Sequence, residues 1–370
     1  MTSISFQSDI EQIAIDPIIK KGTNNLPLLI AGPCSAESKE QLFETARLLS
    51  ETKLVKLFRC GIWKPRSSPN SFEGLGECVL AWLKEIETQY DLIPCIEVAN
   101  AQHVEKAYKM GVTHYWIGAR TSVNPFAVQE LAQACKGLDI AMMIKNPISP
   151  DLQLWYGNFE RFAKVGIKRM AAIYRGFSTG RHQVYRYDPL WQMLIEFKQF
   201  YREIPVFCDP SHIAGKRKYV HEIAQKALFL NVDGLMIETH VNPSAALSDK
   251  MQQLAVQDFE QLIHQLIIPS QKQVTSSILE KYREEMDIID NHIFELLSQR
   301  FEISKQIAIV KKENDIQILQ IDQWKKVCKK RLTQAKELGI DTEFTENFLK
   351  LLHEASIKRQ EKEMGMGKKK

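Results

Sequence analysis

At 370 residues the chain is too long for one ordinary hydrophobic core and suits a barrel-sized domain plus something smaller. With 44% hydrophobic and 25% charged residues it has the composition of a soluble globular protein. A net charge of +4, much of it in the terminal Lys368-Lys369-Lys370, gives no global case for nucleic-acid or membrane partners. No apolar run approaches the roughly 18 residues of a membrane span, and the N-terminus lacks the basic start and apolar stretch of a signal peptide. The 7 cysteines are scattered, odd in number and form no C-x-x-C pair, which points to a reducing, cytoplasmic compartment.

Residues 1–27 read as an N-terminal extension packed on the first large domain. From Leu28 short apolar runs alternate with longer amphipathic segments. The runs are Leu28–Ser35, Leu54–Gly61, Ile93–Asn100, Thr113–Arg120, Ile140–Pro147, Arg169–Phe177, Pro205–His212 and Gly234–Val241. Each predicts a buried parallel strand followed by a helix. This α/β rhythm over residues 28–268 predicts a (β/α)8 TIM barrel. An open doubly wound sheet usually has fewer strands and a Gly-rich first turn, which is absent. The last barrel helix is expected over about Ser248 to Ile267.

A polar linker, residues 269–275, comes next, and the pattern then changes. Residues 276–363 contain no proline and repeat apolar residues at helical spacing. Ile278, Tyr282, Met286, Ile289, Ile293, Leu296 and Leu297 fall on one stripe, continued by Ile303, Ile307 and Val310. The spacing predicts a first helix of more than 30 residues, then two more over about Gln320–Leu338 and Thr342–Glu363. This is a small all-α three-helix domain. It cannot bury so long a stripe alone, so a homodimer or packing on the barrel is expected. A basic tail, 364–370, ends the chain.

Barrel chemistry sits at the C-terminal strand ends. Those positions carry Arg59, Lys64, Arg66, Arg120, Lys145 and Arg175. Such cations are not buried together without counter-charges, and phosphates and carboxylates are their natural partners. Singly, each is ordinarily a surface charge; it is their recurrence at equivalent ends that favours an anion site. Cys34, His212, Glu238 and Asp249 form a second set whose donors suit a divalent transition ion. Each alone is ordinarily structural, and only placement on one fold makes them a metal site.

Ala31-Gly32-Pro33-Cys34-Ser35, Lys64-Pro65-Arg66-Ser67-Ser68-Pro69, Gly118-Ala119-Arg120, Asp209-Pro210-Ser211-His212 and the Glu238 to Asp249 segment resemble, in order, a DAHP synthase. That family condenses phosphoenolpyruvate with erythrose 4-phosphate to 3-deoxy-D-arabino-heptulosonate 7-phosphate, the first step of the shikimate pathway. The resemblance implies that Cys34, His212, Glu238 and Asp249 hold the metal, with Mn2+ expected to serve in vitro. It also implies that Arg59, Lys64, Glu97, Arg120, Lys145 and Arg175 surround phosphoenolpyruvate, and that Arg66 and Ser67 hold the sugar phosphate. Lys64 is placed to manage a proton in the reaction. The sister 3-deoxy-octulosonate 8-phosphate synthase typically has Lys-Ala-Asn-Arg-Ser in the strand-two loop. Here Lys64-Pro65-Arg66-Ser67-Ser68 is one residue shorter between the basic groups, which favours the four-carbon sugar. Two features depart from the family: Lys145-Asn146-Pro147 stands where Lys-Arg-Gly is common, and the leader is too short for its ferredoxin-like regulatory domain.

Arg283, Arg300 and Lys311 lie 17 and 11 residues apart, close to whole helical turns, and Ser356 and Gln360 are i and i+4. Spacing alone favours a solvated basic stripe. The segment from Leu279 to Gln360, however, resembles an all-helical chorismate mutase, an interlocked dimer that converts chorismate to prephenate. This implies that Arg300 and Lys311 clamp the carboxylates and ether oxygen, that Gln360 binds the ether oxygen and Ser356 a carboxylate, and that Arg283 reaches into the partner's site. Gln320 and Gln323 replace an acid and an arginine of the family, and Trp324 stands where Glu is common. Gln320 is still expected to bind the substrate hydroxyl. The competing reading is a dimerisation or ligand-sensing module without turnover. With both activities in one pathway, prephenate is a candidate allosteric inhibitor of the barrel.

Overall fold

The computed structural model describes residues 16–18, 27–64, 72–180, 184–269 and 277–365. The chain separates into two compact units, Met1–Ser270 and Gln271–Lys370.

The first unit is a closed barrel of eight parallel strands in sequential order. In chain order it runs β1 (Leu28–Gly32), α1 (Lys39–Glu51), β2 (Leu57–Cys60), α2 (Val79–Tyr90), β3 (Ile93–Glu97), α3 (Ala101–Lys109), β4 (His114–Ile117) and α4 (Pro125–Cys135). Then come β5 (Ala141–Lys145), α5 (Leu152–Lys164), β6 (Arg169–Tyr174), α6 (Trp191–Phe200), β7 (Val206–Cys208), α7 (Pro210–Ala214), α8 (Val220–Phe229), β8 (Gly234–Glu238) and α9 (Val256–Gln265). β1 closes against β8, with Leu28 opposite Gly234 and Gly32 opposite Glu238. Strands buried on both faces read as unbroken apolar runs, which is why their number was legible.

Side chains divide by strand face into two cores. Inside the barrel lie Ile30, Leu57, Cys95, Trp116, Met143, Ile173, Phe207 and Met236. Ile18 joins this inner cluster, and its carbonyl lies 3.3 Å from His114 Nε2, at the end opposite the C-terminal strand ends. The larger core lies between strands and helices. There Trp155 stacks on Phe197 at 4.0 Å between ring centroids, among Phe159, Phe162 and Tyr174.

Two expectations are corrected. The last barrel helix begins at Val256, not Ser248, so Asp249 lies in a loop rather than opening a helix. That loop is pinned across the barrel mouth, where Leu254 N–H donates to the Glu238 carbonyl at 2.9 Å. The seventh strand also stops at Cys208, because Pro210 opens the short α7; His212 is therefore helical.

The second unit contains α10 (Ser277–Glu313), α11 (Ile321–Glu337) and α12 (Thr342–Glu363). The 37-residue α10 fits the predicted long helix. Asp341 caps α12, its side chain accepting from Phe344 N–H at 2.7 Å. Tyr282, Met286, Ile289, Phe294, Leu296 and Ile303 all stand more than half exposed on α10. The three-helix unit thus leaves bare the stripe its longest helix carries. Among the described residues, no helix is long and apolar enough to cross a membrane.

Candidate active sites

The turn after β1 brings the chain sharply across β2. Gly32 has φ +145°, and a Cβ there would stand 2.1 Å from the Arg59 carbonyl, so only glycine fits. This close approach seats Cys34 beside Lys64, whose Nζ donates to the Cys34 carbonyl at 2.9 Å and lies 3.3 Å from Sγ. Cys34 Sγ is 3.2 Å from Asp249 Oδ2. Donor atoms of Cys34, Glu238 and Asp249 all lie within 4.8 Å of one another. His212 Nε2 is 3.8 Å from Glu238 Oε1, on the edge of the same group.

These donors fit a divalent cation. Burial holds His212 below its usual pKa, leaving the neutral imidazole that metals bind. Burial favours the protonated form of Asp249 and Glu238, yet the guanidinium of Arg186 beside the first and of Arg59 beside the second helps to hold both carboxyls below the usual range. Burial, followed by the Glu238 charge, pushes the Cys34 thiol up to about 12. A sulfur, an imidazole and two carboxylates are the donor set of a transition ion rather than of Mg2+ or Ca2+.

Beneath this group lies a buried charge network. Arg59 donates to Glu238 Oε1 at 2.9 Å and sits 3.9 Å from Asp209 Oδ2. Lys145 donates to Asp209 at 2.9 Å. His212 Nδ1 lies 2.8 Å from Asp209 Oδ2, so the carboxylate sits against the ring edge away from Glu238. Arg59 lies 5.2 Å above the Trp116 ring. Its Nε and Nη1 are buried without a hydrogen-bond partner among the described residues. A guanidinium in that state calls for an anion.

Glu97 is buried at the end of β3, and Gly118 makes room for it: a Cβ at 118 would stand 2.2 Å from Glu97 Oε1. Arg175 is buried and packs 3.4 Å from the Tyr187 ring. Asn146, where the loop after strand five departs from the family, accepts from Arg175 N–H at 2.7 Å and donates to the Gly176 carbonyl. It thereby ties β5 to the base of the Arg175 side chain. Arg120 is exposed at the rim. Arg66 and Ser67 lie outside the described residues.

Several residues of this mouth have no signal in the sequence pattern. Arg186 donates to Asp249 at 2.9 Å and to Gln252 at 2.8 Å, and Gln252 donates to Glu238 at 2.7 Å. Gln253 accepts from Cys34 N–H. Asp209 stands in one of the family motifs, beside the candidates Lys145, His212 and Arg59; Arg186 and the glutamines lie in loops without periodicity.

In the helical unit Arg300 donates to Ser356 Oγ at 2.8 Å, and Lys311 donates to Gln360 Oε1 at 3.2 Å and to the Ile318 carbonyl at 2.6 Å. Gln360 Nε2 lies 3.4 Å from Ser304 Oγ. Ser356 and Gln360 are buried, and neither cation forms an ion pair among the described residues. Burial lowers the pKa of both, as expected of cations lacking an anion. Arg283 does not join them. It pairs with Glu280 at 2.6 Å, about 25 Å along the helix from Arg300 at 1.5 Å per residue. Gln320 is exposed at the start of α11.

A sequence profile of the DAHP synthetase I family matches residues 4–274, and one of chorismate mutase type II matches residues 282–361. The barrel is 30% identical over 256 residues to the phospho-2-dehydro-3-deoxyheptonate aldolase of Thermotoga maritima, covering 69% of this chain and 73% of that protein. A crystal structure of the Thermotoga maritima aldolase superposes with a TM-score of 0.58 at 29% identity, covering 65% of this chain and 68% of that one. The 2-dehydro-3-deoxyphosphooctonate aldolase of Wolinella succinogenes is 26% identical, over 66% of this chain and 99% of its own length.

Proposed function

The chain belongs to the DAHP synthetase I family and carries a chorismate mutase type II domain behind the barrel, and from that premise we propose how its residues act. The first unit is a transferase domain and the second an isomerase domain. We assign to the barrel the condensation of phosphoenolpyruvate with erythrose 4-phosphate. The observation that carries it is the junction of the Cys34–Glu238–Asp249 donors with Lys64 and the half-bonded Arg59.

Cys34, His212, Glu238 and Asp249 would hold a divalent metal, which when bound polarises the sugar aldehyde. Arg59, Lys145 and Arg175 bind the phosphate and carboxylate of phosphoenolpyruvate, and Arg120 closes the rim. C3 of phosphoenolpyruvate forms the new bond to the aldehyde carbon, and the aldehyde oxygen gains a proton, which Lys64 is placed to give. Water adds at C2, and the hemiketal phosphate so formed loses inorganic phosphate by C–O cleavage. Asp209 keeps Lys145 and His212 aimed inward, and Glu97 faces the same space. Arg66 and Ser67 are assigned to the sugar phosphate on the motif alone.

Phosphoenolpyruvate is expected to disappear when erythrose 4-phosphate and Mn2+ are supplied, and to persist with chelator. Consumption with arabinose 5-phosphate alone would move the barrel to the sister synthase.

For the helical unit we propose rearrangement of chorismate to prephenate by Arg300, Lys311, Ser356 and Gln360. A pericyclic step needs only a clamp and charge at the breaking C–O bond. Arg283, far from its own chain's Arg300, is assigned to the partner's site in a homodimer, whose interface is supplied by the exposed stripe of α10.

Coupling between the units completes the proposal: prephenate on the helical unit slows the barrel. It is expected to inhibit DAHP formation by the full chain and to lose that effect when the chain is cut at Gln271. Equal inhibition of both forms would exclude it.

A further inference from the structure

The ring of His353 stacks on Trp324, with centroids 3.9 Å apart and planes 13° from parallel. His353 precedes Ser356 and Gln360 by three and seven residues, so the three share one face of α12. Trp324 lies one turn into α11, its N–H bonded to the Gln320 carbonyl. The pair therefore bridges the two helices beside the Arg300–Ser356 and Lys311–Gln360 contacts. Arg300 donates to the carbonyl of Leu352, the residue before His353, at 3.4 Å. Burial, and after it the charges of Arg300 and Lys311, depress the His353 pKa.

The other polar groups of this face are already engaged. Ser356 Oγ donates to the Leu352 carbonyl while accepting from Arg300, and Gln360 uses its oxygen on Lys311 and its amide on Ser304. Arg300 and Lys311 are donors only. Chorismate brings two carboxylates and an ether oxygen, which accept, and one ring hydroxyl, whose proton needs an acceptor. Stacking occupies the face of the imidazole and leaves the nitrogens on its edge; no hydrogen bond engages either among the described residues. The acid common in this family at position 324 is absent, and the indole that replaces it holds a neighbouring imidazole in the same wall.

Resting on the mutase reading above, we propose that His353, braced by Trp324, is a substrate-binding residue that accepts the hydrogen bond of the chorismate ring hydroxyl. It takes the part that the family motif gives to Gln320, which is exposed at the helix start.

The test is mutase kinetics of the full chain with His353→Phe, His353→Gln, Gln320→Ala and Arg300→Ala. His353→Phe keeps an aromatic ring against Trp324 but has no acceptor. It is expected to lower kcat/KM about tenfold, the worth of one neutral hydrogen bond. The loss should fall mainly on KM, because the bond is made equally in ground and transition states. His353→Gln restores an acceptor and is expected within about threefold of wild type. Wild-type kinetics in His353→Phe, or the same loss appearing in Gln320→Ala instead, would overturn the proposal while Arg300→Ala remained inactive. Unchanged turnover in Arg300→Ala, or none in the wild type, would instead overturn the mutase reading and this proposal with it.

Discussion

Lys64→Met is expected to lower DAHP formation by about 100-fold or more at saturating substrates and Mn2+, the usual loss on removing a proton donor. Burial alone would depress the Lys64 pKa, but negative charge nearby, including that of Glu97 and Glu238, outweighs it and raises it. The ammonium therefore enters the reaction protonated, 3.3 Å from Cys34 Sγ, with a proton to give to an oxygen gaining negative charge. Methionine keeps most of the stem and removes the charge. Steady-state rates and metal content measured together separate two effects. A protein that binds metal normally but turns over slowly has lost the proton donor. One that loses metal has lost the counter-charge beside its ligands. Near-normal turnover would exclude the role altogether.

Arg300→Ala is expected to lower mutase turnover by about 100- to 1,000-fold, the range seen on removing one preorganised donor from a developing charge. The guanidinium is held by Ser356 at 2.8 Å, so its position is set before substrate arrives. DAHP formation and the association state, measured by analytical ultracentrifugation, should not change. Loss of association with turnover retained would favour a scaffold role for this unit.

The barrel was legible because strands buried on both faces are apolar throughout, and because the candidate site residues recur at one place, the C-terminal strand end. What the pattern hid was the ends. The runs ending at Ser35 and His212 extend past their strands, because the residues after a barrel strand stay buried at the mouth although no longer paired. Ser248-Asp249 looks like a helix cap, yet Asp249 adopts φ 44° in a loop held by Arg186 and by the Leu254–Glu238 bond. Such tertiary anchoring leaves no local signal, which is also why Arg186 and Gln252 escape a reading by pattern. In the helical unit the convergence of Arg300 and Lys311 comes from helical geometry. The His353–Trp324 stack does not, since nothing in either sequence neighbourhood indicates that the two helices meet there.

The incomplete bonding of Arg59 has a consequence for stability as well as for binding. Among the described residues, Arg59 Nε and Nη1 are buried without a hydrogen-bond partner. A bound anion supplies the missing bonds and stabilises the fold by mass action, in proportion to the logarithm of its concentration over its dissociation constant. With the anion bound, the barrel resists opening and proteolysis more than it does without it.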